Sequence, residues 1–330
     1  MDKTITIIIP TYNTDSFITK CFNSIIVNDF YFVNKYKIHV LFINDGSTDD
    51  SQKVIDVLKE KYNFVSSIYQ QNQGLSVARN TAIKHIQTDY FLLLDSDDWL
   101  NMDEFEKVYD LFLNQNIDFI SFGLTYYDEC NNYTGHRQNQ SVHYNTIYSG
   151  IEFLMQGYQP SSACLFIYDR KFILKNKLFY YPHITQQDVE HTFRLMLYSE
   201  KGVFVENKVY NYYRRLGSTT IPNSPKKLKK YLSDSIIVAA QISKNKQQYS
   251  SKVITKLIEE NYNSVVWNLL WRFISKPKEV DYEFKKKCLK ELKDNNLYPI
   301  KGGVKTTFQK LTTLFFNQTF IIKCIFKLIK

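Results

Sequence analysis

YFLLLDSDDW, residues 90–99, joins a run of five apolar side chains directly to three carboxylates. Such a run is typical of a strand buried on both faces, so Asp95, Asp97 and Asp98 would lie at its carboxyl end, on the rim of a sheet. Ligands of open α/β sheets bind at that rim. Clustered like charges need a cation or water, and Mg²⁺ and Mn²⁺ prefer carboxylate and phosphate oxygens. The stretch therefore predicts either a divalent-metal site or a solvated turn that caps a helix.

Strand and helix patterns alternate on the N-terminal side of this stretch. Thr4 to Ile9, Ile38 to Ile43 and Phe64 to Tyr69 are strand-like runs, and each leads through a polar loop to a helical apolar pattern. Such alternation predicts an α/β fold with a mainly parallel, doubly wound sheet flanked by helices. The three loops would then reach the same edge of the sheet as the acids.

The three loops carry groups that suit a nucleotide. The first offers hydroxyl and amide groups, and the second offers Asp45, which can accept a hydrogen bond from the imide N–H of a base. The third offers Gly74 for close approach and Arg79 for phosphate. Each loop by itself is equally an ordinary helix cap. Together with the acids, however, they favour a shared nucleotide-binding crevice.

These residues also resemble a known family. Ile9-Pro10-Thr11-Tyr12-Asn13, Asn44-Asp45-Gly46-Ser47-Thr48-Asp49, Asn72-Gln73-Gly74-Leu75-Ser76-Val77-Ala78-Arg79-Asn80 and Asp95-Ser96-Asp97-Asp98 look like the ordered signature of family 2 glycosyltransferases with the GT-A fold. The resemblance covers residues 1–100. It implies a nucleotide-sugar donor, usually a UDP-sugar, with Mn²⁺ or Mg²⁺ between the Asp-x-Asp acids and the diphosphate.

The resemblance also implies residue roles. Thr11, Asn13 and Asp45 would lie near the base and ribose, and Arg79 would support the nucleotide. The predicted donor site comprises Pro10, Thr11, Tyr12, Asn13, Asp45, Gly74, Arg79, Asp95, Ser96, Arg214, Arg215 and Ser218, and the predicted metal ligands are Asp95, Asp97 and Asp98.

A further carboxylate occurs within the segment 186–195. Val189, Phe193 and Leu197 form a helical face, which places Asp188 in the first turn, where the helix dipole favours its ionised form. Such a carboxylate can take a proton from an acceptor hydroxyl. Related transferases carry a Glu-Asp pair here, and their Asp is the proposed base, but this chain has Gln187 in place of the Glu. A plain N-cap is the alternative interpretation of Asp188.

The segment 210–219 is similar to the Tyr-Tyr-Arg plus Ser segment of many of these enzymes. Guanidinium groups of Arg214 and Arg215 and the hydroxyl of Ser218 could stabilise a leaving diphosphate. Aromatic packing with solvated arginines is the alternative. His183 and His191 have no partner at metal-ligand spacing and are assigned no role.

Charge divides the chain unevenly. The net charge is +9, but residues 221–330 carry 22 Lys and Arg against 8 Asp and Glu, whereas residues 1–220 carry 20 against 25. In the last stretch, apolar residues recur every three or four positions among lysines, which predicts a basic amphipathic helix from Val304 to Lys330. It would lie on an anionic membrane surface or pack on the body with solvated lysines. No nucleic-acid-binding motif accompanies the charge.

The cysteine content indicates the cellular compartment. The five cysteines are an odd number without metal-ligand spacing, as expected of reduced cytosolic thiols. No signal peptide or membrane-spanning run is predicted. We therefore expect a cytoplasmic protein, peripheral on the cytoplasmic face of the membrane.

The combined prediction is an inverting, metal-dependent glycosyltransferase of the hexosyltransferase type that acts in surface polysaccharide synthesis. Residues 1–220 would form the GT-A domain, with a nucleotide-sugar half (1–100) and an acceptor half (101–220), and residues 221–330 a helical, lysine-rich region. The acceptor would be a glycan or a lipid-linked glycan. The alternatives are a non-catalytic nucleotide-sugar-binding subunit and a metal-dependent phosphatase.

Overall fold

The computed structural model describes residues 3–27, 30–139, 141–214 and 224–328. It divides into two compact units, one formed by Met1–His183 and His191–Arg215, the other by Ile184–Glu190 and Leu216–Lys330. No pattern in the sequence predicted that Ile184–Glu190 belongs with the C-terminal unit. The functional division at residues 100 and 220 stays a prediction.

One β-sheet organises the first unit. Its strands are β1 Ile5–Thr11, β2 Ile38–Asn44, β3 Val65–Tyr69, β4 Tyr90–Leu93, β5 Trp99–Leu100, β6 Phe119–Tyr127, β7 Tyr133–Arg137, β8 Phe166–Asp169 and β9 Gly202–Tyr213. They lie in the order β3-β2-β1-β4-β8-β6-β9-β5, with β7 paired to β6. β1 to β4 are mutually parallel, whereas β8 is antiparallel to β4 and β6. The predicted α/β class is confirmed. The antiparallel pairings of β8 join the parallel strands β1 to β4 to the rest of the sheet.

Helices flank this sheet. They are α1 Asp15–Asn23, α2 Tyr31–Tyr36, α3 Ser51–Lys61, α4 Leu75–His85, α5 Met102–Leu113, α6 Gly150–Gln156, α7 Arg170–Lys175 and α8 Gln187–Tyr198, whose first turn belongs to the other unit. β1 and β4 are buried along their whole length, and the uninterrupted apolar sequence of β4 predicts this burial. Apolar faces of the helices, such as Ile18 and Phe22 of α1, are also buried.

The second unit is helical. It contains α9 Pro225–Lys244, α10 Lys252–Ser275, α11 Tyr282–Asp294, α12 Thr307–Phe316 and α13 Thr319–Leu328. Its core includes Leu270, Phe273 and Leu289. Within the described ranges, no helix is both long enough and apolar enough to cross a membrane.

The prediction of one continuous helix from Val304 to Lys330 is wrong. α12 ends at Phe316, and the next residue, Asn317, pairs with the backbone of Ile300: the Ile300 N–H donates to Oδ1 at 2.8 Å and Nδ2 donates to the Ile300 carbonyl at 2.8 Å. This tertiary contact fixes the helix end, and α13 begins anew at Thr319. Ile329 and Lys330 lie outside the described residues.

Candidate functional site

Four loops follow the carboxyl ends of β1 to β4. Because these strands are parallel, the loops, residues 12–14, 45–50, 70–74 and 94–98, lie at one edge of the sheet. We name them loops one to four. They carry most of the N-terminal residues that the sequence predicted for a donor site.

Asn13 connects loop one to loop two. It has a left-handed backbone conformation (φ 53°), which asparagine adopts more readily than most residues. Its N–H donates to Ser47 Oγ at 3.1 Å, and its Oδ1 accepts from the Thr48 N–H at 2.8 Å. The side chains of Asn13 and Tyr12 are exposed.

Two predicted donor-site residues are less accessible. Pro10 and Thr11 are buried in β1, and the Thr11 hydroxyl donates to the Ile9 carbonyl at 3.2 Å. Of the predicted set in this part of the chain, Tyr12 and Asn13 therefore have exposed side chains, whereas Pro10 and Thr11 are buried within the strand.

Asp45 connects loop two to loop three. Its carboxylate is buried and accepts three hydrogen bonds: Oδ1 from Gln70 Nε2 at 2.6 Å and from the Gln73 N–H at 2.9 Å, and Oδ2 from the Gly74 N–H at 2.7 Å. The predicted contact with a base stays a prediction. In the structure, the carboxylate orders loop three, since each bond fixes a group that would otherwise need another acceptor.

Two glycines shape the same loops. Gly46 has φ +73°, and a Cβ added there would lie 2.7 Å from the Asn72 backbone nitrogen, so loop three passes directly against it. Gly74 has φ +87°, but a Cβ there would meet nothing within 4 Å. The backbone conformation therefore explains why a glycine is present at position 74. Among the described residues, no protein atom makes the close approach that the sequence predicted there.

Arg79 lies beneath loop four. Its guanidinium is fully buried and forms an ion pair from Nη2 to Asp95 Oδ1 at 3.0 Å. The same nitrogen lies 3.4 Å from Cys164 Sγ, and the guanidinium carbon lies 5.3 Å from the centre of the Tyr180 ring. This burial does not support the prediction that Arg79 contacts a phosphate. The guanidinium instead orients Asp95, whose side chain is 32% exposed.

Asp98 also turns inward. Its Oδ2 accepts from the Tyr210 hydroxyl at 2.5 Å and its Oδ1 from the Tyr213 N–H at 2.7 Å. Burial, followed by the charges of Asp97 and Asp95, raises the pKa of the Asp98 carboxyl well above its usual value. The side chain is 2% exposed, so it fastens loop four to β9. This placement does not support the predicted role of Asp98 as a metal ligand.

Asp97 and Ser96 complete loop four. Asp97 is half-buried, and the buried Ser96 hydroxyl lies 2.9 Å from Thr14 Oγ1, so Ser96 joins loop four to loop one. Throughout the part of the chain that the structure describes, no three His, Cys, Asp or Glu side chains are grouped as a preformed metal site. Asp95 and Asp97 are consequently the accessible carboxylates of the predicted ligand set.

An aromatic cluster lies beside loop four. The Trp99 ring packs against Tyr127 at 4.9 Å, and Lys20 Nζ lies 3.5 Å from the Trp99 ring centre. Arg214 is exposed, with its guanidinium 3.7 Å from the Tyr126 ring centre. Arg215 and Ser218, which the sequence predicted as partners of Arg214, lie outside the described residues.

Asp188 lies in the first turn of α8, as its spacing predicts, and is half-buried. The preceding Gln187 is buried, and its amide nitrogen can donate to the carbonyl oxygens of Ile184 and Thr185 at 2.8 and 3.1 Å. A glutamate would place a carboxylate against these acceptors. A donor at this position therefore suits the two carbonyl oxygens better than a carboxylate would.

Two supporting residues were not predicted from the sequence. Tyr210 accepts from the Asp95 N–H at 3.2 Å while it donates to Asp98, so one phenol joins both ends of loop four. Thr14 fixes Ser96. Tyr210 lies in β9 between the buried residues Val209 and Asn211, and its local sequence does not reveal Asp95 and Asp98 as its partners.

Comparisons with known proteins give consistent matches. A sequence model of the family described as Glycosyl transferase family 2 matches residues 6–178. The chain is 26% identical over 224 residues to the glycosyltransferase GlyA of Streptococcus pneumoniae serotype 4, which covers 66% of this chain and 32% of GlyA, about a third of its length. It is 23% identical over 305 residues to the uncharacterized glycosyltransferase YibD of Escherichia coli, which covers 89% and 85% of the two chains.

Solved structures share the fold. Residues 1–349 of Staphylococcus aureus TarS, crystallised in complex with UDP-GlcNAc, superpose with a TM-score of 0.72 at 17% identity, covering 98% of this chain and 90% of that chain. The mannosyltransferase PcManGT from Pyrobaculum calidifontis, in complex with GDP-Man and Mn²⁺, gives a TM-score of 0.52 at 11% identity, covering 100% and 86%. Identities this low show the fold alone.

Proposed function

The chain belongs to glycosyltransferase family 2, and from this premise we propose that it transfers a sugar from a UDP-sugar to a hydroxyl of a glycan or lipid-linked glycan, with inversion at the anomeric carbon. One observation carries the proposal: four cross-bonded loops meet at the carboxyl edge of the parallel strands, where Asp95 and Asp97 are accessible. A nucleotide-sugar substrate is common to the family, whereas UDP and the acceptor are proposals.

The donor would lie along loops one to three. Tyr12 is 50% exposed, so its ring can stack on a base or sugar. Asn13 is exposed and held in place by loop two. UDP is the proposed nucleotide because TarS, which has the same fold, was crystallised with UDP-GlcNAc.

Mn²⁺ or Mg²⁺ fits the residues of loop four. Asp95 and Asp97 offer carboxylate oxygens, and such ions are bound by one or two carboxylates with water and substrate phosphates rather than by an all-protein cage. Because Asp98 is buried, Asp95 and Asp97 would hold such an ion together with water and the donor phosphates. When bound, the ion would neutralise charge on the diphosphate.

Asp188 is the proposed general base. Its carboxylate would accept the proton of the acceptor hydroxyl as the oxygen bonds to the anomeric carbon. The bond from that carbon to the diphosphate breaks, and the nucleoside diphosphate leaves with the electron pair. We propose that Arg214, with Arg215 and Ser218, offsets the charge on this leaving group.

The test is release of UDP from a UDP-sugar panel with Mn²⁺ and glycan acceptors. Asp188→Asn should lower transfer about 10²- to 10⁴-fold, as expected for loss of a general base, while UDP binding measured by calorimetry stays unchanged. Glu200→Gln removes an exposed carboxylate just beyond α8 and serves as the matched control. Unchanged turnover in Asp188→Asn would remove Asp188 from the mechanism.

We propose a setting in surface polysaccharide synthesis, on the cytoplasmic face of the membrane, because the C-terminal third carries most of the positive charge. The rival proposal is a non-catalytic nucleotide-sugar-binding subunit. Its support is Gln187, which stands where related transferases carry a glutamate. Binding of UDP-sugars without turnover across a broad acceptor panel would favour it.

A further inference from the structure

Helices α12 and α13 carry both buried and exposed large apolar side chains. Phe316, Ile322 and Phe326 are buried in the core of the second unit. The same two helices expose a second set of large apolar side chains, each between 39 and 80% exposed: Phe308, Leu311, Leu314, Phe315, Phe320 and Ile321. We call these six residues the apolar patch. Packing within the second unit accounts for the buried set and for one side of Phe308, which contacts Trp267, but it leaves the exposure of the others without an explanation.

The concentration of this patch is unusual for the molecule. Of the 19 large apolar residues that are exposed in the described ranges, six lie between positions 308 and 321, and the others are scattered. Single exposed apolar residues are ordinary, whereas contiguous ones mark interaction surfaces. The turn between the helices is tight, with the Gln318 N–H donating to the Phe315 carbonyl at 3.1 Å.

An indole extends the patch onto a neighbouring helix. Trp271 of α10 is 37% exposed, and its ring centre lies 5.3 Å from that of Phe308, edge to face. The Trp271 ring also stacks on the buried Trp267 at 5.3 Å, so its orientation is fixed. Tryptophan at the boundary of an apolar surface is typical of side chains that lie at the level of lipid headgroups.

The positive charge of α12 and α13 indicates which kind of surface would cover the apolar patch. Lys310 of α12 and Lys323 and Lys327 of α13 are exposed on the same two helices. Residues 295–328 contain five lysines and no aspartate or glutamate. A second copy of this chain would bring its own lysines to the interface, and these would repel. A surface that is both apolar and negatively charged is the better complement.

We propose that the apolar patch docks the second unit onto an anionic lipid bilayer. The exposed phenylalanine and leucine side chains would enter the boundary between headgroups and acyl chains, and the lysines would contact anionic headgroups. The inference gives a physical basis to the proposed membrane setting of the transferase, and it rests on that proposed function only for its biological purpose.

The experiment measures co-sedimentation of the chain with vesicles of phosphatidylcholine, with and without phosphatidylglycerol. Wild type should bind the anionic vesicles, and binding should weaken with salt. Leu314→Ser combined with Phe320→Ser should weaken binding about 100-fold, roughly tenfold for each large apolar side chain withheld from the bilayer. Lys323→Gln with Lys327→Gln should weaken it about 25-fold, near fivefold for each lysine.

The matched control is Val253→Ser with Lys252→Gln, an exposed apolar and basic pair at the start of α10, which should leave binding unchanged. All substituted side chains are exposed, and circular dichroism checks that the variants fold. Absent vesicle binding, binding indifferent to the patch variants, or a patch-dependent dimer in sedimentation would overturn the proposal. UDP release is read separately, so a failure of the transferase proposal is distinguishable from a failure of this one.

Discussion

Asp98 provides the sharpest test of how loop four is built. In Asp98→Ala, the Tyr210 hydroxyl and the Tyr213 N–H lose their common acceptor inside the protein. A buried donor left without a partner costs about 1–3 kcal/mol, so the two together should lower the free energy of unfolding by roughly 2–6 kcal/mol.

Asp98→Asn should behave differently. Its Oδ1 can still accept from the Tyr213 N–H. Its amide can donate to the Tyr210 oxygen, but the Tyr210 hydroxyl hydrogen then loses its acceptor, at a cost of about 1–3 kcal/mol. The substitution also removes a charge that is disfavoured by its burial and by the repulsion of Asp97 and Asp95, the two effects that raise the pKa of Asp98. These terms offset, and we expect stability within about 1 kcal/mol of wild type at neutral pH.

The free energy of unfolding should depend on pH because folding raises the pKa of Asp98. Since the pKa of Asp98 is higher in the folded chain than in the unfolded one, the folded state binds more protons. Wild type should therefore gain stability relative to Asp98→Asn as the pH falls from the raised pKa toward the unfolded value of about 3.9. Urea unfolding of both proteins across this range measures the difference.

Calorimetry of metal-dependent UDP binding completes this test. Asp98→Asn should retain binding, because Asp98 fastens the loop from the inside. Asp97→Asn, the matched control at an accessible carboxylate, should lose most of the metal-dependent part. Equal losses in the two variants, or destabilisation of Asp98→Asn by several kcal/mol, would refute the reasoning.

Three further predictions concern the same unit. Gly46→Ala and Gly74→Ala should both lower the free energy of unfolding in urea, by about 1–3 kcal/mol for a positive φ that only glycine adopts readily. Gly46→Ala should lose more, because its Cβ would also lie 2.7 Å from a backbone nitrogen; equal losses would contradict this. Arg79→Met should cost about 2–3 kcal/mol, since the fully buried guanidinium pairs with Asp95, and the cost should shrink in the Asp95→Asn background. Burial lowers the pKa of His191, so wild type should lose stability below pH ~6.5, and His191→Gln should lack this loss in urea unfolding; parallel pH profiles would exclude it.

Much of the fold was predictable because its signals are local. Thr4 to Ile9 and Ile38 to Ile43 become β1 and β2, since short runs rich in β-branched and apolar residues favour buried strands. The GT-A fold class, predicted from motif order, is confirmed by the likeness to TarS. The C-terminal helix prediction failed because the contact of Asn317 with Ile300 is invisible to periodicity.

The composition of the candidate site was predictable, but not the direction in which its side chains point. Asp95, Asp97 and Asp98 are chemically alike and nearly adjacent, yet Asp95 and Asp97 remain accessible while Asp98 is buried. The partner that makes this choice is Tyr210, 112 residues further along the chain. Arg79 was predicted to bind a phosphate because the sequence does not show that Asp95 lies within reach of its guanidinium.

The amino-acid sequence by itself determined the alternation of β1 to β4 with their helices and the gathering of carboxylates at the end of β4, because hydrophobic period and turn chemistry act over a few residues. Only the tertiary structure decided which carboxylate is a buried anchor and which can meet a ligand. Burial and hydrogen-bond partners come from chain segments far apart in sequence, and these determine whether a charge faces the interior or the solvent.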